Sequence, residues 1–217
     1  MSVTVVVPAR DEAELIAPCL ASIRQSALPV DARIIVVADR CVDDTVAISR
    51  GFEGVEVVEI DAAAVGVARA VGFALATSEW IATTDADSTV PPHWLQAQLD
   101  LAAEGADAVI GTVRPAAADL TRSEWREWEL SHADGRALGH VHGANLGIRA
   151  SAYHSVGGFS AVSEHEDVDL VHRLRSADFR ISASDRLEVV TSGRREGRTP
   201  GGYATYLRER FTANELA

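Results

Sequence analysis

Lysine is absent from the chain: all twenty basic side chains among its 217 residues are arginine. Chemistry that needs a lysine amine is thereby excluded, and with the heavy use of alanine, valine and glycine the bias reads as the imprint of a GC-rich genome. Positive charge is scarce altogether. Twenty arginines face thirty-two acids for a net charge of −12, and no basic stretch alternates with aromatics, so no nucleic-acid partner is expected. Cysteine is nearly missing. Cys19 and Cys41 fall on a predicted helix and a predicted loop without metal-type spacing, which suits a reducing cytoplasm better than a disulfide. No apolar run has membrane length, because the longest, Ala62 to Ala76, is short and broken by Arg69, so no integral membrane segment is expected. The start, Met1-Ser2-Val3-Thr4, carries no early positive charge, so a cytoplasmic chain without a secretory leader is expected. Internal repeats and low-complexity linkers are lacking too.

What is present is ordinary for a globular protein. At 47% hydrophobic residues the chain can bury a full core as one domain. Val3 to Val7 is a continuous β-branched run before Pro8, the pattern of a central strand buried on both faces. Asp11 is placed to cap a helix from about Glu12 to Ser26. Strands over Arg33 to Ala38, Val55 to Glu59 and Trp80 to Thr84 alternate with helices opened by Asp43-Asp44-Thr45 and spanning Val65 to Ala76. Such alternation predicts an α/β fold with a parallel sheet and right-handed crossovers. The second half is less regular: a helix from about Pro92 to Glu104, a strand Asp107 to Gly111, and a polar helix with a long loop over Arg114 to Gly139. Gly143 to Ile148 reads as a short strand whose small residues admit another group near the backbone. Ser163-Glu164-His165-Glu166-Asp167 precedes an amphipathic helix with Val168, Leu170, Val171 and Leu174 inward. Leu187 to Val190 is a strand, and a final helix starts near Tyr203.

The most informative stretch is Ile81-Ala82-Thr83-Thr84-Asp85-Ala86-Asp87-Ser88. A buried strand running into two carboxylates is costly unless something positive neutralises them. Hard Mg²⁺ or Mn²⁺ meets that need, commonly held by one or two carboxylates and a substrate phosphate. The plain alternative is a turn after a strand, where aspartate is common. Ligands in open α/β sheets bind beyond the carboxyl ends of the strands. Pro8-Ala9-Arg10, Asp39 and Asp85-Ala86-Asp87 would gather at that one edge.

Six blocks in order resemble the family 2 glycosyltransferases of GT-A fold. They are Val5-Val6-Val7-Pro8-Ala9-Arg10-Asp11-Glu12; Val37-Ala38-Asp39 with Asp43-Asp44-Thr45; Gly66 with Arg69 and Gly72; Asp85-Ala86-Asp87; Gly143-Ala144-Asn145 with Gly157-Gly158-Phe159; and Glu166-Asp167 before Asp169-Leu170. The resemblance implies a single Rossmann-like domain over 1–217 with a mostly parallel central sheet flanked by helices. About 1–110 would bind a nucleotide sugar and about 111–217 an acceptor. Pro8, Ala9, Arg10 and Glu12 would line the nucleoside pocket with Ala86, and Asp39 would accept from the base N–H. Arg69 would lie near the nucleotide, Asp85 at the ribose or metal side, and Asp87 would hold Mg²⁺ or Mn²⁺ against the diphosphate. Gly143, Ala144, Asn145 and Glu166 would meet the acceptor. Asp167 would be the general base of an inverting transfer, a role that contributes about 10²–10⁴-fold. UDP-sugars are favoured as donors over GDP-sugars. The chain departs from the family pattern at Arg10-Asp11 and Arg40-Cys41, which bears on base and sugar preference. Without a Gln-x-x-Arg-Trp segment, a small or carrier-bound acceptor fits better than a growing polysaccharide. The oligomeric state is open, a homodimer included.

Other readings stand beside this one. Asp85-Ala86-Asp87-Ser88-Thr89-Val90 also resembles the nucleophile signature of haloacid dehalogenase-type phosphatases, with Asp85 as nucleophile. That family carries the signature on its first strand, whereas three strands precede it here. A catalytically inactive nucleotide-binding protein is a third reading. A dinucleotide-dependent oxidoreductase is disfavoured, since no Gly-x-Gly-x-x-Gly follows the first strand. His140-Val141-His142 is a metal-like pair that reads more simply as polar loop. The Arg194-Arg195-x-x-Arg198 cluster, with Gly197, Gly201 and Gly202, is a candidate loop closing over the diphosphate.

Overall fold

The computed structural model describes residues 1–27, 30–132, 139–160, 164–198 and 201–212. Ser163, residues 133–138 of the expected long loop, and residues 199–200 of the arginine loop lie outside that set. Strand β1 (Val3–Ala9) is buried along its whole length. Val3, Val5 and Val7 pack into one hydrophobic cluster and Val6 into the other, on the opposite face, as alternation along a strand requires. Pro8 continues the strand rather than ending it, paired with Val37 of β2 (Ala32–Asp39). It is tolerated because pairing with β4 (Trp80–Thr83) stops at Val6.

Asp11 does not cap the first helix. It takes a left-handed backbone, φ 49°, and its Oδ1 accepts the Val42 amide at 2.7 Å. The Glu12 carbonyl accepts the amides of Leu15 and Ile16, and α1 runs Ile16–Ala27. The rest of the first half follows as α2 (Thr45–Arg50), β3 (Val55–Ile60) and α3 (Val65–Leu75). A Cβ at Gly72 would stand 2.3 Å from Val6 Cγ1, so the glycine lets α3 lie directly on β1.

After β4 come β5 (Ser88–Thr89), α4 (Trp94–Ala103), β6 (Ala108–Pro115), α5 (Arg122–His132), β7 (Leu146–Arg149), α6 (Ala150–Ser155), α7 (Glu166–Ser176), β8 (Ile181–Thr191) and α8 (Tyr203–Thr212). Among the described residues the sheet runs β3-β2-β1-β4-β7-β6-β8-β5. The pairs of β1 with β2 and β4, of β2 with β3, and of β6 with β8 are parallel; β7 is antiparallel to β4 and β6, and β5 to β8. Helices α1 and α4 cover one face through Ile16, Leu20, Trp94 and Leu95, while α3, α6 and α7 cover the other through Phe73, Tyr153, Leu170 and Leu174. Val168 breaks the inward pattern expected for α7 and is 44% exposed. Helices α5 and α8 make a satellite cluster of Trp128, Leu207 and Phe211. No helix among the described residues is long and apolar enough to cross a membrane.

Strand order reverses at β1, with β2 and β3 on one side and β4 on the other. That reversal splays the connections apart and opens a crevice beyond the carboxyl ends of the strands. Pro8-Ala9-Arg10 and Asp85-Ala86-Asp87 stand at its mouth.

Candidate active site

Two adjoining cavities open at this edge. The smaller, about 170 Å³, is walled by Pro8, Ala9, Arg10 and Glu12 from the end of β1, by Asp39, Ala63 and Ala64, and by Asp85, Ala86 and Asp87. The larger, about 370 Å³, holds Arg69, Gly143, Ala144, Glu166 and Asp167, with an aromatic wall from His140, His142, Tyr203 and Tyr206. Asp85, Asp87, Arg194 and Arg198 border both.

Asp39 is buried at the end of β2. Its Oδ1 accepts the amides of Ala62 and Ala63 at 2.8 and 2.9 Å, and its Oδ2 that of Ala64 at 2.8 Å. Three of a carboxylate's roughly four acceptor positions are thus used to shape the loop before α3, and one on Oδ2 is left.

Arg69 is a buried residue of α3. Its Nη2 donates to Asp85 Oδ1 at 2.5 Å and its Nη1 to a Glu166 oxygen. Burial works against its charge, but Asp85, Glu166 and Asp167 more than offset that and hold the guanidinium firmly protonated. Two glycines make the space. A Cβ on Gly143 would sit 2.4 Å from Arg69 Cζ, and one on Gly66 would sit 3.0 Å from Glu166 Cγ. The group that the small residues at Gly143 admit is therefore this guanidinium. Asp167, in the first turn of α7, accepts the Gly143 amide on Oδ2 at 2.6 Å, while its Oδ1 takes the Val168 amide at 2.8 Å. His165, just before α7, holds φ 60°, and the chain thereby turns Glu166 toward Arg69 and Asp167 toward the larger cavity.

Asp87 is largely buried beside Asp85 and Glu12. Burial first, then those two charges, push its carboxyl up to about 6, against the pull of Arg194. Arg194 Nη2 donates to Asp87 Oδ2 at 2.6 Å and to Glu12 Oε1 at 2.7 Å. Arg198 Nη1 donates to the same Glu12 oxygen, and its Nη2 to the Asp11 carbonyl at 2.6 Å. Of the arginine cluster only these two face the site. Arg195 turns to Glu124 and lies over the Phe211 ring.

One expected acceptor contact is displaced. Asn145 is 1% exposed and lines neither cavity. Its amide donates to the carbonyls of Thr112 and Leu187 at 2.8 and 2.6 Å and accepts the Trp94 indole N–H at 2.8 Å, tying β6, β8 and α4 together. The two histidines stand in the loop before β7, as expected, and both line the larger cavity. Burial drives the His142 imidazole down to about 4, so it is neutral near pH 7. Asp11, Cys41 and Asp43 also bring ligand-type atoms within 4.8 Å, but the two carboxylates accept the amides of Val42, Ala13 and Thr45 and serve to fix loops. Both cysteines are free thiols.

A family model described as Glycosyl transferase family 2 matches residues 4–157. The chain belongs to that family. It is 30% identical over 204 residues to the succinoglycan biosynthesis protein ExoA of Rhizobium meliloti (strain 1021), an alignment covering 86% of this glycosyltransferase and 62% of ExoA. The chain therefore spans less than two thirds of that relative. Among solved structures, the mannosyltransferase PcManGT of Pyrobaculum calidifontis, in complex with GDP-Man and Mn²⁺, superposes with a TM-score of 0.73 at 22% identity, over 90% of this chain and 58% of that one. Residues 1–349 of S. aureus TarS, in complex with UDP-GlcNAc, superpose with a TM-score of 0.72 at 14% identity, over 94% and 62%. The fold of the glycosyltransferase is GT-A. The Asp-x-Asp-x-Thr-Val likeness to phosphatases is thus a local one, and the motif follows the fourth strand in the chain rather than the first.

Two features of the site are not announced by the sequence pattern: Arg194 as the partner of Glu12 and Asp87, and Tyr203 and Tyr206 as a cavity wall. The loop glycines around Arg194 were a signal; for the tyrosines, on an ordinary amphipathic helix, there was none.

Proposed function

We propose that the enzyme transfers a glycosyl group from a UDP-sugar to an acceptor hydroxyl with inversion, using a divalent cation. The supporting observation is that Asp85 and Asp87 stand where the two cavities meet, with Asp167 on the wall of the larger. The smaller cavity, built by about 1–110 apart from Arg194 and Arg198, is the donor side; about 111–217 supplies most of the acceptor side.

In this reading Pro8, Ala9, Arg10 and Ala86 bound the nucleoside, and the spare acceptor position of Asp39 Oδ2 takes a base N–H. One position matches the single ring N–H of uracil. Guanine presents two adjacent donors and would want both oxygens. Asp87, with Asp85, would hold Mg²⁺ or Mn²⁺. These are hard oxygen donors, and the raised carboxyl of Asp87 shows how poorly this acidic corner tolerates its charge unneutralised. The cation would supply Lewis-acid stabilisation of the departing diphosphate. Arg69 holds Asp85 and Glu166 in place. Asp167 takes the acceptor proton as the hydroxyl oxygen attacks the anomeric carbon and the bond to the diphosphate breaks. Its tie to the Gly143 amide keeps the carboxylate oriented for that task. Gly143, Ala144, the neutral His142 and the faces of Tyr203 and Tyr206 suit a sugar ring as acceptor, since such walls combine apolar faces with a few hydrogen-bonding groups.

The test is calorimetric titration with UDP, GDP and CDP, each with Mn²⁺ and with EDTA. Tight binding of UDP that is lost with EDTA and in Asp87→Ala is expected. Preference for GDP would refute the assignment of Asp39, and binding indifferent to EDTA would refute the metal requirement.

A further inference from the structure

Arg194 places one nitrogen between two carboxylates that the chain separates widely. Its Nη2 lies 2.7 Å from Glu12 Oε1 and 2.6 Å from Asp87 Oδ2, and Nη1 reaches Glu12 Oε2 at 3.1 Å. Both acids are secluded, with side-chain exposures of 7% for Glu12 and 12% for Asp87. Two hard oxygens facing a single point of positive charge are also a divalent-cation donor pair, given a contraction to about 2.0–2.1 Å for Mg²⁺. Nη2 occupies the point between the two oxygens that a cation would take, so Arg194 in this position and a cation there exclude each other.

We propose that Glu12 is a protein ligand of the cation alongside Asp87, and that Arg194 is a built-in counter-cation that must release both oxygens for the cation to bind. This rests on the metal-dependent reading above. Arg198 does not bridge the two acids; it stays hydrogen-bonded to Glu12 Oε1 on that oxygen's other lone pair and orients the carboxylate, as outer partners of metal ligands do. Arg194, released at the junction of the cavities, meets the diphosphate of a bound nucleotide. The guanidinium fork matches phosphate oxygens. Cation and nucleotide therefore support each other: the nucleotide gives Arg194 a new partner, and the cation frees it. Such coupling is reciprocal in the binding free energies.

The experiment measures Mn²⁺ affinity by electron paramagnetic resonance, without nucleotide and with UDP, for the wild type, Arg194→Gln, Arg194→Lys, Glu12→Gln and Asp87→Asn. Folding of each is checked by its melting curve. Without nucleotide, Arg194→Gln binds Mn²⁺ about tenfold tighter than the wild type, and UDP tightens Mn²⁺ less in this variant than in the wild type. Glu12→Gln and Asp87→Asn both weaken Mn²⁺ binding, by at least the roughly 10–100-fold that loss of an outer partner of a ligand costs. Arg194→Lys, which keeps the charge but not the fork, tightens Mn²⁺ by less than Arg194→Gln, and it decides the matter should the glutamine variant not fold. Unchanged or weaker Mn²⁺ binding in the Arg194 variants overturns the counter-cation. Unchanged Mn²⁺ binding in Glu12→Gln overturns the ligand assignment. If the wild type binds no nucleotide at all, the donor reading itself fails; if it binds UDP with Mn²⁺ while the variants match it, this inference alone does.

Discussion

Arg69→Met removes the guanidinium that neutralises Asp85 and Glu166 together, and the cost follows from how differently those acids are exposed. The Glu166 side chain is 5% exposed and that of Asp85 is 35%. Asp85 can be screened by solvent once it loses its partner, but Glu166 cannot. Breaking a buried pair from one side costs about 3–5 kcal/mol, because a buried charge is left uncompensated. For a chain of this length each kcal/mol moves the melting temperature by about 2–4 °C, so a fall on the order of 6–20 °C is expected. Arg69→Met/Glu166→Leu removes both charges and should melt well above the single variant. The Arg50–Glu59 pair, with side chains 59% and 58% exposed, is the internal control: Arg50→Met should cost under about 1 kcal/mol. Thermal and urea unfolding in EDTA, at one pH, measures all of these. An Arg69→Met protein melting within about 2 °C of the wild type would refute the burial reasoning. A double variant melting below the single would show that the packing of the arginine stem, rather than the charge, held the site together.

Three further outcomes are expected. Asn145→Ala leaves the Trp94 indole and the carbonyls of Thr112 and Leu187 without their partners, and each buried group costs about 1–3 kcal/mol. Its unfolding free energy should drop by at least the lower figure while UDP affinity by calorimetry stays within twofold, and an unchanged stability would restore Asn145 to the acceptor. Asp87 gives a pH dependence with a definite sign. Its carboxyl is pushed up to about 6 from 3.8, so what it contributes to stability is whole below pH 4 and is lost as pH rises through 6. In EDTA, Asp87→Asn should therefore gain on the wild type in urea unfolding between pH 4 and 7, and a flat difference across that range would contradict the assignment. Asp167→Asn should keep nucleotide affinity and lose about 10²–10⁴-fold in turnover; normal turnover, measured by release of UDP, would remove this residue from the chemistry.

The donor half was legible because its signals are local. Val3 to Val7 and Ile34 to Ala38 are strand-forming runs buried on both faces, and the acids Asp39 and Asp85 mark where β2 and β4 leave the core. Such patterns need no knowledge of partners. The second half hides its structure for the opposite reason. Strand β8 extends over Ile181–Thr191, far beyond the apolar Leu187 to Val190, because its first residues, partly exposed and with no apolar run, are held by backbone pairing to β6. Strand β7 enters antiparallel between β4 and β6, a choice that no run of four residues can announce. Asp11 looked like a cap, yet the turn out of β1 needed a left-handed residue there and the carboxylate found Val42 instead.

Charge shows the limit most plainly. Arg194 and Arg195 are neighbours of identical type, but one bridges Glu12 and Asp87 and the other binds Glu124 behind the site. Nothing in Gly193-Arg194-Arg195-Glu196 distinguishes them. The difference arises because Ser192 and Gly193 are pinned, by the Asp87 carbonyl and by Asp119 Oδ2 at 2.7 Å respectively, which points the next side chain into the crevice and the following one away. The function of an acid at this sheet edge is thus decided by which arginine the far end of the chain delivers to it. That is why Glu12, which reads as a helix-start residue in the sequence, stands with Asp87 in the fold, and why, on the proposed assignment, exchanging only Arg194 should change Mn²⁺ affinity.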